Sequence, residues 1–233
     1  MTTNGIKLVI RPQTAKEEFD YLWYTLEKLL FFKENNYTVE LPNHPTFLDL
    51  ALKSIKFGKI DKTSLFDLFK KEIYELSFFK QGVVSLESYR SMFDIAISRF
   101  IKMNQEWGFK IFSKYTVALT RYGPGGSYDA HNGIVILMTK INGAFKKFNP
   151  DIVVTHEMTH MGIEENIIKR FALDHWEKEE LVDMICILKF GDIWPNYQKQ
   201  QSGNKKIDSY INSESIKDLP RAIEKYVINF PRK

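Results

Sequence analysis

Apolar positions recur every three to four residues through most of the chain, and one central stretch breaks that rhythm. Phe19, Leu22, Trp23, Leu26, Leu29 and Leu30 predict a helix over 14–34, opened by a Thr14/Glu17 capping box and closed by Asn35 and Asn36. Pro42 and Pro45 frame a loop, and shorter helices are predicted over 46–56 and 64–74. Tyr89, Phe93, Ala96, Ile97, Phe100 and Met103 mark one side of a long helix over 85–107. A short alternating strand at 6–10 precedes all of these. Between 110 and 140 the pattern changes. Residues 110–118 are rich in β-branched and aromatic side chains, 122–127 read as a glycine-rich turn, and the apolar run 133–139 reads as a strand whose free edge is a candidate for pairing with an extended peptide. A polar stretch over 194–206 leads to a final helix within 213–230.

The helical rhythm returns after Asn149, Pro150 and Asp151, which supply an N-cap, a proline at the first helical position and an acid in the first turn. Ile152, Val153 and Val154 carry the helix into a core, and Gly162 is placed to end it. Inside it lies His156-Glu157-Met158-Thr159-His160, an H-E-x-x-H. Side chains four apart on a helix share a face, so both imidazoles can reach one metal ion. Glu157 is rotated partly off that face, where it can take a proton from a metal-activated water. Such a motif arises by chance in roughly one chain of this size in a hundred or two, so its surroundings decide its meaning. The chain has 5 histidines, and His156, His160 and His175 fall in one short window.

Catalytic zinc usually has three protein ligands and an open position. Ile163 and Asn166 stand where the metzincin pattern requires glycine and histidine, which excludes that subclass. A second helix is predicted from Asp174, with Glu177 completing a capping box, Leu181, Met184, Ile185 and Leu188 as its apolar stripe, and Gly191 as its stop. On it Glu179 and Asp183 are four apart, and two like charges so placed repel. A metal on Glu179 and a histidine N–H on Asp183 would remove the conflict. Glu180 is the rival for the third ligand, and His175 is a further alternative.

The pair formed by H-E-x-x-H and the downstream Glu179-x-x-Val182-Asp183 resembles the gluzincin metallopeptidases, over roughly residues 110–190. In some families of that group an E-x-x-A-D sequence stands here, with Val182 now replacing the alanine. The resemblance implies an α+β, mostly helical zincin-like fold with a small β-sheet preceding the active-site helix. It also implies one zinc ion per chain on His156, His160 and Glu179, with Glu157 as general base. The expected activity is hydrolysis of peptide bonds in a peptide or protein substrate. Tyr197, Tyr210, His175 and His131 are candidates to stabilise the oxyanion. Three other classes compete: a zinc hydrolase of non-peptide bonds, a latent or inactive regulatory module with the same core, and a helical interaction protein without metal.

The remaining composition narrows the setting. At 233 residues, with 44% hydrophobic and 27% charged residues, the chain is expected to form one domain. That domain would divide into a mainly helical region over 1–108, a metal-site core over 109–191 and a helical extension over 192–233. The net charge of +4 is spread along the chain, too diffuse for nucleic acid. No phosphate-cradling glycine pattern is present. The single cysteine, Cys186, reads as a small core residue and excludes an internal disulfide. No apolar run has membrane-spanning length and the first residues have no signal-like core, so a cytoplasmic protein is expected, with release without a cleaved signal also open. Nothing in the pattern sets an oligomeric state.

Overall fold

A computed structural model describes residues 5–52, 61–145, 149–200 and 202–231. Among them, four strands form a mixed sheet in the order β1-β2-β4-β3: β1 (Lys7–Pro12), β2 (Lys114–Thr120), β3 (Gly126–Asp129) and β4 (Ile134–Met138). β1 and β2 are parallel, β2 and β4 are parallel, and β3 runs antiparallel to β4. With helices outnumbering strands along the chain, the class is α+β.

The sheet corrects two expectations. The apolar strand over 133–139 has no free edge, because β2 and β3 flank it on both sides. Its near-continuous hydrophobicity is that of an interior strand. β3, beside it, is one of the two end strands of the sheet, with β1 the other, and forms from Gly126 onward, inside and beyond the stretch read as a turn.

The predicted helix over 14–34 is two helices, α1 (Ala15–Glu27) and α2 (Leu29–Glu34), with the Thr14/Glu17 capping box formed. α1 buries Phe19, Leu22, Trp23 and Leu26, whereas α2 buries none of its residues; the break at Lys28 turns Phe31 and Phe32 toward Tyr37, and Phe31 onto the edge of His175. α3 (Pro45–Leu52) covers the start of the helix expected over 46–56, whose remainder lies outside the described residues. α4 (Lys62–Glu72) follows, capped by Asp61. The predicted helix over 85–107 is also divided, into α5 (Lys80–Glu87) and α6 (Arg90–Trp107), where the Ser88 hydroxyl donates to the Ser85 carbonyl at 2.7 Å and competes with the helix ladder.

Two hydrophobic clusters result. The smaller joins Phe19, Leu22, Trp23 and Leu26 to Phe47, Leu50 and Phe69. The larger takes α5, α6 and the sheet together with α7 (Pro150–Ile163), α8 (His175–Phe190) and α9 (Leu219–Asn229). α5, α6 and β1 therefore belong to the same core as the H-E-x-x-H helix, across the expected division at residue 108. No described helix is long and apolar enough to cross a membrane.

Candidate metal centre

α7 is buried on nearly every side, as a helix that Ile152, Val153 and Val154 carry into a core requires. It packs under β3 and β4 on one flank and against α6 and α8 on others. Pro150 stands at its first turn, while the Asn149 side chain makes no capping bond. Gly162 does not end α7. The helix runs on to Ile163 and into a wider turn of π-helix over Glu164–Lys169, and a Cβ at Gly162 would lie 1.8 Å from Cζ of Phe109. The glycine is there for close packing, not as a stop.

His156 and His160 bring their Nε2 atoms to 3.1 Å of each other. From α8, Oε2 of Glu179 comes within 3.2 Å of His160 Nε2 and 3.5 Å of His156 Nε2. All three residues are buried or nearly so, and together they form a cluster that can hold a metal ion. Donors about 2.0–2.1 Å from a tetrahedral zinc stand about 3.3–3.4 Å apart, and the three separations fall around that value. The donor set of two imidazoles and one carboxylate suits zinc as well.

Burial sets the electrostatics. It disfavours a charged imidazole and takes the pKa of His160 down to about 4, which leaves a neutral imidazole. Burial also works against charge on Glu179, but His160 and His156 overcome it and hold this carboxyl well below the usual range. For His156, burial is outweighed by hydrogen bonding toward Cys186 and Glu179, and its pKa rises. Glu157 lies outside the cluster, with its carboxylate against Gly126 of the edge strand: a Cβ at that glycine would sit 2.7 Å from Glu157 Oε1. Desolvation raises its pKa to about 7, where a general base is most useful.

The other predicted residues are sorted by the packing of α8. Glu180 is fully buried on a different face and pairs with Lys199 at 2.5 Å. His175 opens α8, with Nδ1 3.8 Å from Glu179 Oε1 and Nε2 3.1 Å from the Tyr37 hydroxyl. Asp183 does not take a histidine N–H directly. Its Oδ1 is 3.5 Å from His156 Nδ1, and the Tyr197 hydroxyl lies between them, 2.8 Å from Nδ1 and donating to Oδ1 at 2.7 Å. Tyr197 is therefore committed behind the cluster. Tyr210 packs on Tyr226 and Phe230, and His131 lies in an exposed turn after β3.

Four further side chains at the site carried no signal in the sequence pattern. Tyr128 of β3 stacks on the His160 ring, 4.9 Å between centroids and 8° between planes. Lys178 places Nζ 3.5 Å from Glu179 Oε1 and 3.2 Å from the Tyr128 hydroxyl. Gln200 donates from Nε2 to Glu179 Oε2 at 2.7 Å. Tyr37 arrives from the loop after α2, more than a hundred residues from α8. Each comes from a segment whose position depends on long-range packing. Compared with protein-family models, with curated proteins and with solved structures, the chain matches none.

Proposed function

We propose that this chain is a zinc-dependent metallopeptidase of the gluzincin kind, built on a zincin-like core and using one zinc ion per chain. The observation that carries this reading is the buried cluster of His156 Nε2, His160 Nε2 and Glu179 Oε2, at separations close to those of a tetrahedral zinc, with the Glu157 carboxylate beside it but outside it. A purely structural site has no use for that additional buried acid.

His156, His160 and Glu179 would hold the ion, whose chemistry when bound is to activate water and polarise a carbonyl. Glu157 takes the proton of the attacking water and passes it to the leaving amine. The edge of β3 borders this base through Gly126, and an extended peptide can add to it as a further strand. Such a peptide would pass directly over Glu157. Of the side chains considered for the oxyanion, His175 stands beside the cluster, backed by the Tyr37 hydroxyl.

Metal analysis of the purified chain, combined with a peptide-library digest, tests this. About one zinc per chain, cleavage of peptides, and loss of cleavage in Glu157→Gln with zinc retained are expected. A chain that neither carries nor takes up zinc would overturn the metal reading. A zinc-loaded chain that hydrolyses esters and no peptides would overturn the peptidase reading.

A further inference from the structure

After α8 the chain reverses and runs back along the helix it has just left, and its polar side chains meet the acids of α8 in descending order. Tyr197 donates to Asp183, Lys199 pairs with Glu180, Gln200 donates to Glu179, and the backbone N–H of Asn204 donates to the Trp176 carbonyl at 3.1 Å. Residues 194–200 and 202–204 thus form a strap over the helix that supplies Glu179. One end is fastened to the H-E-x-x-H helix, where the Trp194 indole donates to Asp151 Oδ2 in the first turn of α7 at 2.9 Å. The other end closes on α8 because residue 203 is glycine, since a Cβ there would lie 1.9 Å from Glu180 Oε2.

We propose that this strap is a positioning device for the candidate metal site: Tyr197 sets the tautomer of His156, with Asp183 acting through it, and Gln200 orients the carboxylate of Glu179. The proposal rests on the metal reading above for its purpose, but the hydrogen-bond logic stands on the strap alone.

A tyrosine hydroxyl has one proton. With that proton given to Asp183 Oδ1, the Tyr197 oxygen can only accept from His156, so Nδ1 carries a proton. Nε2 is then the nitrogen that faces His160 and Glu179, where a metal ligand must present its lone pair. Asp183 is itself held in place, because its Oδ2 accepts the Gln200 backbone N–H at 2.6 Å. Both oxygens of this buried carboxylate therefore answer to the strap. Gln200 reaches the other helix ligand too. A carboxylate only accepts, so the amide turns its Nε2 toward Glu179 Oε2, the same oxygen that faces both imidazoles. It orients that oxygen without bringing a competing charge. His160 is positioned differently, by its stacking on Tyr128, so the strap acts on one histidine and not the other.

Nitrogen–proton correlation spectra of the imidazoles in the full chain test this, recorded before and after adding zinc chloride, with competition titration of zinc in parallel. The wild type is expected to show His156 protonated on Nδ1. Tyr197→Phe should no longer hold that proton on Nδ1. Both Tyr197→Phe and Gln200→Met should bind zinc about 10–100-fold more weakly. Asp183→Asn makes a sharper test and serves if Tyr197→Phe does not fold. The Gln200 backbone N–H claims the new amide's oxygen, which leaves its NH₂ facing Tyr197; the relay then runs backwards and His156 should become protonated on Nε2, with zinc affinity reduced. A wild type with the expected tautomer and no zinc uptake would remove the metal reading and leave the relay standing. Wild-type zinc binding with an unchanged His156 tautomer in both Tyr197→Phe and Asp183→Asn would overturn the strap proposal.

Discussion

Glu157 and Gly126 touch only because residue 126 has no side chain: a Cβ on the edge strand would stand 2.7 Å from Oε1 of the carboxylate. The proposed base and the strand proposed to receive substrate are thus fitted to each other across the tertiary fold. Gly126→Ala should push Glu157 out of line with the cluster while leaving His156, His160 and Glu179 alone. Peptide turnover is expected to fall about 100-fold, the cost of a displacement of about an ångström, with zinc stoichiometry unchanged. Unimpaired turnover in this variant would separate Glu157 from the chemistry.

The two adjacent acids of α8 make opposite predictions. Glu179→Ala removes a member of the cluster and should weaken zinc binding by more than the roughly 100-fold that losing an outer hydrogen-bond partner costs. Glu180→Gln removes the charged partner of Lys199, which retains Asp208 at 2.7 Å. It should leave zinc binding close to wild type and lower folding stability by about 2 kcal/mol. Zinc titration and denaturant melts of the two variants, side by side, check both statements.

A pH dependence unrelated to the metal cluster comes from Glu18. It is buried in α1, accepts the Arg121 backbone N–H at 2.7 Å, and desolvation raises its pKa to about 7. A carboxyl with a folded pKa above its unfolded value near 4.5 favours the fold when protonated. Its contribution is complete below the unfolded value and is lost as pH rises through the folded one. Glu18→Gln should therefore gain stability relative to the wild type as pH rises, by about 2 kcal/mol between pH 5 and pH 8. Urea unfolding at the two pH values measures the difference, and a pH-independent difference would show that Glu18 is ionised in the fold throughout.

Gly162 gives a prediction of sign. In an open helix Gly→Ala stabilises by about 1 kcal/mol. Here the added methyl meets Phe109, itself stacked on Phe100 with centroids 4.7 Å apart. Gly162→Ala should cost about 3 kcal/mol and lower the melting temperature. A variant as stable as the wild type would mean that Phe109 moves aside freely.

Much of the local structure was legible along the chain. The capping boxes at Thr14 and Asp174, the helical spacing of His156 and His160, and the acid-rich start of α8 depend on residues within a turn or two of each other, so their geometry is written in adjacent positions. The breaks in the long helical patterns were not legible. A periodic stripe says which face is apolar, but the turn of the chain at Lys28 is matched to a ring cluster whose other member, His175, comes from α8.

By itself, the sequence determined the pair of histidines on one helix face, the acid between them proposed as the base, and a short list of acids for the proposed third ligand, because a helix converts spacing into direction. Only the tertiary structure decided among the acids, by the rotation with which α8 packs on α7: Glu179 faces the imidazoles and Glu180 faces Lys199. It also decided that β3 and not β4 ends the sheet beside Glu157, since strand order is a property of pairing and not of composition. It placed the Tyr197 hydroxyl between His156 and Asp183 and brought Gln200 to Glu179. In sequence those residues lie in an unremarkable polar stretch. Their roles arise when the chain doubles back along α8, and a reversal of that kind is set by the core beneath it, not by the residues that make the turn.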